Sequence, residues 1–182
     1  MEGKLGMSAS AWRNGGRGVT IRWAVVETTL GAMLVAATDK GVCRLSFNEG
    51  EEDLRARFPQ AELAKGGAEF SGLLDRVIAA VERPGSAQDI PLDVAGTAFQ
   101  EACWKALREI PPGETRSYSE IAAAAGNPKA VRSAGSANGA NNVAVLIPCH
   151  RVIGANGTLT GYAGGLERKQ VLLDLERSDG LW

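Results

Sequence analysis

The densest chemistry in the chain lies in Val145-Leu146-Ile147-Pro148-Cys149-His150-Arg151-Val152-Ile153, where apolar runs flank a polar triplet. A thiol reacts as its thiolate, and a nearby base or cation brings thiolate formation toward neutral pH. Cys149 has one neighbour of each kind, His150 and Arg151. Adjacency along a chain is not contact, so two readings stand: an activated nucleophile at the edge of a core, or a small buried hydrophobe. The second suits Cys43 and Cys103, which stand in apolar stripes. His150 is the only histidine, and no Cys-x-x-Cys pair occurs. A structural zinc site needs more ligands than that, so neither metal nor cofactor is expected. Three widely spaced cysteines form no disulfide framework and fit a reducing compartment.

The elements that must position this triplet fall into two regions. Ile21–Thr28, Met33–Thr38 and Val42–Phe47 are rich in β-branched and apolar residues. With the hairpin signal Asp39-Lys40-Gly41, they predict an antiparallel three-stranded meander. Helices follow. Glu51–Phe58 is short and charged and ends at Pro59. Phe70, Leu73, Leu74, Val77, Ile78 and Val81 recur at helical spacing and predict a helix with one face on the sheet. Ile90–Val94 reads as a short extended crossing.

From Thr97 onward the chain becomes helical and Ala-rich. Thr97 with Gln100, and Ser117 with Glu120, have the spacing of capping boxes. The first helix carries an apolar stripe of Phe99, Cys103, Ala106, Leu107 and Ile110 and breaks at Pro111-Pro112-Gly113. The second runs through Ile121 to Ala125. Gly126-Asn127-Pro128 then turns the chain into a helix over 129–138, which is helix-turn-helix spacing. That helix consists almost wholly of small residues around one long cation, Arg132. Tight helix packing would use such a surface, and so would close approach to a DNA groove. A last helix from Leu166 to about Glu176 is expected to turn Val171, Leu172 and Leu175 inward. The fold class is therefore α+β. Residues 1–19 read as a tail, 20–90 as an N-terminal α/β domain, and 91–182 as an all-α domain holding the helix-turn-helix and Cys149.

Composition narrows the alternatives. The 182 residues are 45% hydrophobic and carry 20 Lys+Arg against 21 Asp+Glu, a formal net charge of −1. A globular chain without a general cationic coat follows, so binding to nucleic acid would need a local patch. Residues 111–153 hold four cations against two carboxylates, a weak basic bias. Aromatics are 5%, too few for extended stacking platforms. No apolar run is long enough to span a bilayer, and the start lacks a signal-peptide core, so no membrane partner is expected and a cytoplasmic location is.

The motif Ile147-Pro148-Cys149-His150-Arg151-Val152 resembles the active-site segment of the O6-alkylguanine-DNA alkyltransferases, the methylated-DNA–protein-cysteine methyltransferases. The likeness runs nearly continuously from Pro91 to about Glu176. It takes in Gly96-Thr97-Ala98-Phe99-Gln100, Ile110 to Thr115, Ser117-Tyr118, Gly126 to Arg132 and Gly161-Tyr162-Ala163-Gly164-Gly165. Residues 20–90 are similar to the family's N-terminal domain, which is ribonuclease H-like. Leu5 to Gly18 resembles the end of the regulator domain that precedes the alkyltransferase part of Ada-type proteins.

That resemblance implies a reaction and its residues. Cys149 would accept an alkyl group from O6-alkylguanine, and from O4-alkylthymine, in double-stranded DNA. His150 would deprotonate it through a bound water, and Glu176 would orient His150. Tyr118 would give guanine N3 a proton or hydrogen bond, and Asn141 would tie the turn after the recognition helix to the active-site segment. Arg132 would wedge into the stack vacated by a flipped base, with Ala130, Ser133, Ser136 and Arg151 also on DNA. Pro148, Val152, Tyr162, Ala163 and Gly164 would line the pocket. The stable thioether implies one turnover per molecule, acting as a monomer. Two other readings of the residues are a lesion-binding or regulatory DNA-binding module that repairs nothing, and a Cys–His thiol hydrolase.

Overall fold

The computed structural model describes residues 15–83, 90–154, 162 and 164–179. The chain divides into two compact units, one spanning Met1–Glu82 with Asp89–Ala95, the other Arg83–Gln88 with Gly96–Trp182. Most of the tail expected over 1–19 lies outside the described residues.

In the first unit, strands β1 (Thr20–Thr28), β2 (Gly31–Ala37) and β3 (Val42–Phe47) form the expected antiparallel meander. The structure adds a fourth strand, β4 (Glu62–Lys65), parallel to β1, in the order β3-β2-β1-β4. Four residues with exposed Glu62 and Lys65 at the ends carry no readable strand period. Pairing with β1, which is strongly β-forming, makes the strand. Helix α1 (Glu51–Arg57) follows β3, and α2 (Ala68–Glu82) follows β4. Ile21, Trp23, Leu34, Ala36 and Cys43 of the sheet bury against Leu54 and Phe58. On α2, Phe70, Val77 and Val81 of the predicted stripe are buried together with Ala80, while Leu73, Leu74 and Ile78 are half-buried.

The extended segment after α2 is held by the β2–β3 turn. Val42 N–H donates to Pro91 O at 2.9 Å, and Asp93 N–H donates to Val42 O at 2.8 Å. The Thr38 hydroxyl donates to the buried Asp93 carboxylate at 2.5 Å. Gly41 makes this possible, because a Cβ there would lie 2.4 Å from the Pro91 carbonyl.

The second unit is built on helices. α3 (Ala98–Arg108) starts at the Thr97/Gln100 capping box and buries Cys103, Trp104, Ala106 and Leu107. α4 (Tyr118–Ala124) starts at the Ser117/Glu120 box. α5 (Val131–Gly139) begins two residues later than expected. The cause is Asn127: its side chain accepts Lys129 N–H and its carbonyl accepts Ala130 N–H, which makes a turn before the helix. α4 and α5 form the helix-turn-helix, and Trp104 Nε1 ties α3 to α5 by donating to Ala137 O at 2.9 Å. The unit is not wholly helical, since Arg116–Ser117 (β5) and Val152–Ile153 (β6) pair in parallel. The last helix, α6 (Leu166–Asp179), turns Lys169, Leu172, Leu173 and Glu176 inward. Val171, expected inside, is 42% exposed, and Leu175 is half-buried. No helix among the described residues is long and apolar enough to cross a membrane.

The Gly41 contact gives a stability prediction. Gly41→Ala should lower unfolding free energy by about 1–3 kcal/mol, since backbone rather than a mobile side chain must give way. Denaturant titration checks it.

Candidate active site

Cys149, His150 and Arg151 form one turn of 3-10 helix at the end of a constrained segment. Val145 sits at φ +70°, a conformation β-branched residues rarely adopt. Pro148, at φ −80° and ψ 66°, makes an inverse γ-turn in which Cys149 N–H donates to Ile147 O at 2.7 Å. Asn141 clamps the same segment from the end of α5. Its Nδ2 donates to Ile147 O at 2.8 Å and its Oδ1 accepts Val143 N–H at 2.8 Å. Asn138 of α5 donates to Cys149 O at 3.4 Å, a contact the sequence did not announce. The resemblance implies a linking role for Asn141, and Ile147 O and Val143 N–H are the backbone groups its side chain bonds.

The turn is buried, and its two following side chains converge on one carboxylate. His150 Nε2 lies 2.7 Å from Glu176 Oε2. Arg151 Nε donates to both Glu176 oxygens at 2.9 and 3.1 Å, its Nη2 donates to Oε2 at 2.7 Å, and its Nη1 donates to Ile110 O at 2.6 Å. This corrects one expectation. Arg151, expected on DNA, points into the protein, where Glu176 and the end of α3 engage every guanidinium nitrogen. A charged fork fits a carboxylate well, and the flanking apolar residues bury the turn that carries it.

The electrostatics follow from these contacts. Burial works against the Glu176 carboxylate, but the hydrogen bonds from His150 and Arg151 outweigh it and hold its pKa below the ordinary value. Burial lowers the His150 pKa, with Arg151 and Lys169 adding to it against the pull of Glu176. The imidazole is therefore neutral at neutral pH. An ionised Glu176 can only accept, so Nε2 carries the imidazole proton and Nδ1 keeps its lone pair. Nδ1 is buried with no hydrogen-bond partner in the protein. A neutral imidazole with a bare Nδ1 thus belongs to the same buried turn as the cysteine.

Burial pushes the Cys149 thiol up, while a hydrogen bond with Asn141 and the charge of Lys169 pull it down. The Tyr162 ring stands edge-on to His150, with centroids 6.5 Å apart. Its hydroxyl is buried without a partner, and burial, then the charge of Cys149, keep it protonated. Pro148 and Val152 are buried on either side of the turn, and Gly164 O accepts from Arg168 Nη1 at 2.8 Å. Ala163 lies outside the described residues. On the helix-turn-helix, Tyr118 opens α4 and is half-buried near Gly135. Arg132, Ser133 and Ser136 are exposed on α5, and Ala130 precedes its first turn, which has no side-chain cap and no acidic residue.

Comparison with known proteins matches this arrangement twice over. Residues 98–178 match the DNA-binding domain of the 6-O-methylguanine DNA methyltransferases, and residues 21–94 match that family's ribonuclease-like domain. The chain belongs to this family. It is 43% identical over 156 residues to a methylated-DNA–protein-cysteine methyltransferase of Methanosarcina acetivorans, covering 86% of this chain and 98% of that protein. It is 42% identical over 176 residues to the bifunctional transcriptional activator/DNA repair enzyme Ada of Escherichia coli, covering 94% of this chain. It spans about half of that longer protein. Mycobacterium tuberculosis OGT, solved in complex with DNA, superposes with TM-score 0.72 at 41% identity, covering 88% of this chain and 94% of that one. The methyltransferase of Pyrococcus kodakaraensis shares the fold, with TM-score 0.60 at 17% identity.

Lys169 is a buried charged residue of this unit that sequence reasoning missed. A lysine on an amphipathic helix ordinarily reads as surface. The signal was the spacing of Lys169, Leu172, Leu173 and Glu176, one helix face with a charge at each end.

The buried pair predicts acid sensitivity. Both His150 and Glu176 have folded pKa values below the ordinary ones of 6.5 and 4.5, so the unfolded chain binds more protons in acid. Their contribution is fully present above pH 6.5. It falls as His150 would charge on unfolding, and falls further through the carboxylate range. Glu176→Ala should cost about 3–5 kcal/mol at neutral pH by leaving Arg151 buried and unpaired. Unfolding titrations at stepped pH read both.

Proposed function

We propose that this chain repairs O6-alkylguanine in double-stranded DNA by moving the alkyl group onto Cys149. The observation that carries this is the neutral His150, which follows Cys149 in the same buried turn, is bonded through Nε2 to an ionised Glu176 and keeps an unpartnered Nδ1. His150 takes the Cys149 proton, through a bound water as the family likeness implies. The thiolate displaces guanine from the alkyl carbon: a sulfur–carbon bond forms and the carbon–O6 bond breaks. Tyr118, at the start of α4, donates to guanine N3 so that a neutral base departs. In net, sulfur gains the alkyl group and guanine gains the thiol's hydrogen, so atoms and charge balance. Nothing in this chemistry restores the thiol, so each molecule acts once.

The lesion must leave the duplex to reach a thiol that is 6% exposed. Extrusion costs a few kcal/mol, less for a weakened pair. Exposed Arg132 fills the vacated stack, and the small residues Ala130, Ser133 and Ser136 let α5 approach the minor groove. The uncapped first turn of α5 offers its N–H groups to a phosphate. The 41% identical OGT solved with DNA supports this use of the helix-turn-helix. O4-alkylthymine is a second substrate in this reading. The protein works as a monomer in the cytosol, where its DNA lies.

Intact-mass analysis after incubation with O6-methylguanine duplex tests the proposal. One methyl should appear on Cys149 per molecule, with none in Cys149→Ala. Lesion binding without mass gain, or turnover of an ester, overturns it. Arg132→Ala should slow repair in duplex by tenfold or more, about 1.4 kcal/mol or greater, while sparing reaction with the free base. Equal loss on both substrates removes the wedge role.

A further inference from the structure

The penultimate residue of α5 is a buried amide that meets the backbone of the proposed nucleophile. Asn138 is 9% exposed. Its Nδ2 donates to Cys149 O at 3.4 Å, while its Oδ1 is buried with no hydrogen-bond partner among the described residues. A buried polar atom without a partner is destabilising. The other inward residues of α5, Ala134 and Ala137, are small and apolar. Such a residue at 138 would avoid the penalty, so packing alone does not call for an amide. What the amide supplies, and an alanine does not, is the bond to the Cys149 carbonyl.

We propose that Asn138 is a positioning residue for alkyl transfer: its amide holds the Cys149 carbonyl and so sets where the thiol stands relative to α5. The proposal rests on the reading of Cys149 as the alkyl acceptor. Asn138 acts through the backbone and not on the substrate, and no covalent bond forms to it.

Both ends of the contact are fixed. On the cysteine side, Cys149 O also accepts Val152 N–H, which closes the 3-10 turn, and Cys149 N–H donates to Ile147 O at 2.7 Å. Carbonyl and side chain hang from the same Cα, so a carbonyl that swings carries the thiol with it. On the helix side, Ala137 O accepts Trp104 Nε1 at 2.9 Å, which fastens the last turn of α5 to α3. The Asn138 carbonyl accepts Asn141 N–H at 3.4 Å, which joins Asn138 to the residue that clamps Ile147 and Val143. Two linked amides thus grip the segment, Asn141 at the backbone before the cysteine and Asn138 at the cysteine's own. Arg132 lies six residues earlier on the same helix, about 9 Å along its axis. The face proposed for DNA and the grip on Cys149 therefore belong to one short element. Displacement at carbon requires the thiolate in line with the breaking bond, and a misplacement of about 1 Å can slow such a step by about 100-fold.

The test uses Asn138→Ala and Asn138→Ser, whose side chains are too short to reach Cys149 O. Single-turnover methyl transfer from O6-methylguanine duplex, followed by intact mass at increasing duplex concentration, separates the saturating rate from the half-saturating concentration. In both variants the saturating rate should fall about tenfold or more, with the half-saturating concentration and the denaturant midpoint of unfolding close to the parent's. A parental saturating rate in either variant overturns the proposal. So does a rate that falls together with the midpoint, which marks packing, or a loss seen only in the half-saturating concentration, which marks DNA contact. A second readout needs no lesion. With cysteine labelled at its carbonyl by carbon-13, the Cys149 resonance is the one lost in Cys149→Ala. In Asn138→Ala it should move while that of Cys43, in the other unit, stays; an unmoved Cys149 resonance overturns the proposal. If it moves but the parent protein takes no methyl group, the functional reading fails and the hold on the carbonyl stands.

Discussion

The site depends on one buried carboxylate shared by two partners. Glu176 accepts from His150 and from the Arg151 fork, inside a unit where an unpaired charge would be expensive. Arg151 neutralises the carboxylate. His150, bonded to an anion, must donate through Nε2. The free nitrogen is then Nδ1, the one able to take a proton. Without Arg151 the carboxyl would gain a proton more readily and could no longer fix the imidazole tautomer. A residue read from sequence as a DNA contact thus sets the chemistry from inside.

The fold supplies this arrangement through two opposed surfaces. α6 presents a face whose ends are polar and whose middle, Leu172 and Leu173, is apolar. The leucines anchor the helix, and Glu176 reaches the turn. On the other side, α5 leaves Arg132 and its small neighbours exposed and turns Ala134, Ala137 and Asn138 inward. Asn138 and Asn141 then bond to the backbone of the cysteine segment. The helix proposed to enter DNA and the proposed nucleophile are joined by two amides. All described residues of the site belong to the second unit.

Legibility from sequence followed the physics of each signal. Local signals read true: both capping boxes lie within three residues, and the meander and the α2 stripe are periodic over one element. Cys149-His150-Arg151 was visible as reactive chemistry, but which way Arg151 pointed was not. That direction is set by Glu176, twenty-five residues away on another helix. Glu176 entered through the family likeness and not through any pattern of its own. Val171 was placed inside because apolar residues usually are, yet Lys169 and Glu176 take the buried face. A polar residue on a core face breaks the periodic rule, and here the breaks mark the site. β4 escaped because its stability comes from β1, not from its own four residues. Part of the pocket segment and most of the N-terminal tail lie outside the described residues.

The most direct test is the protonation state of His150, the sole histidine in the chain. Nitrogen NMR of isotope-labelled histidine reads it without overlap. The account predicts a neutral ring at neutral pH with the proton on Nε2 and Nδ1 bare. An imidazolium, or a proton on Nδ1, would contradict it, because neither leaves a base free to receive the proton of Cys149.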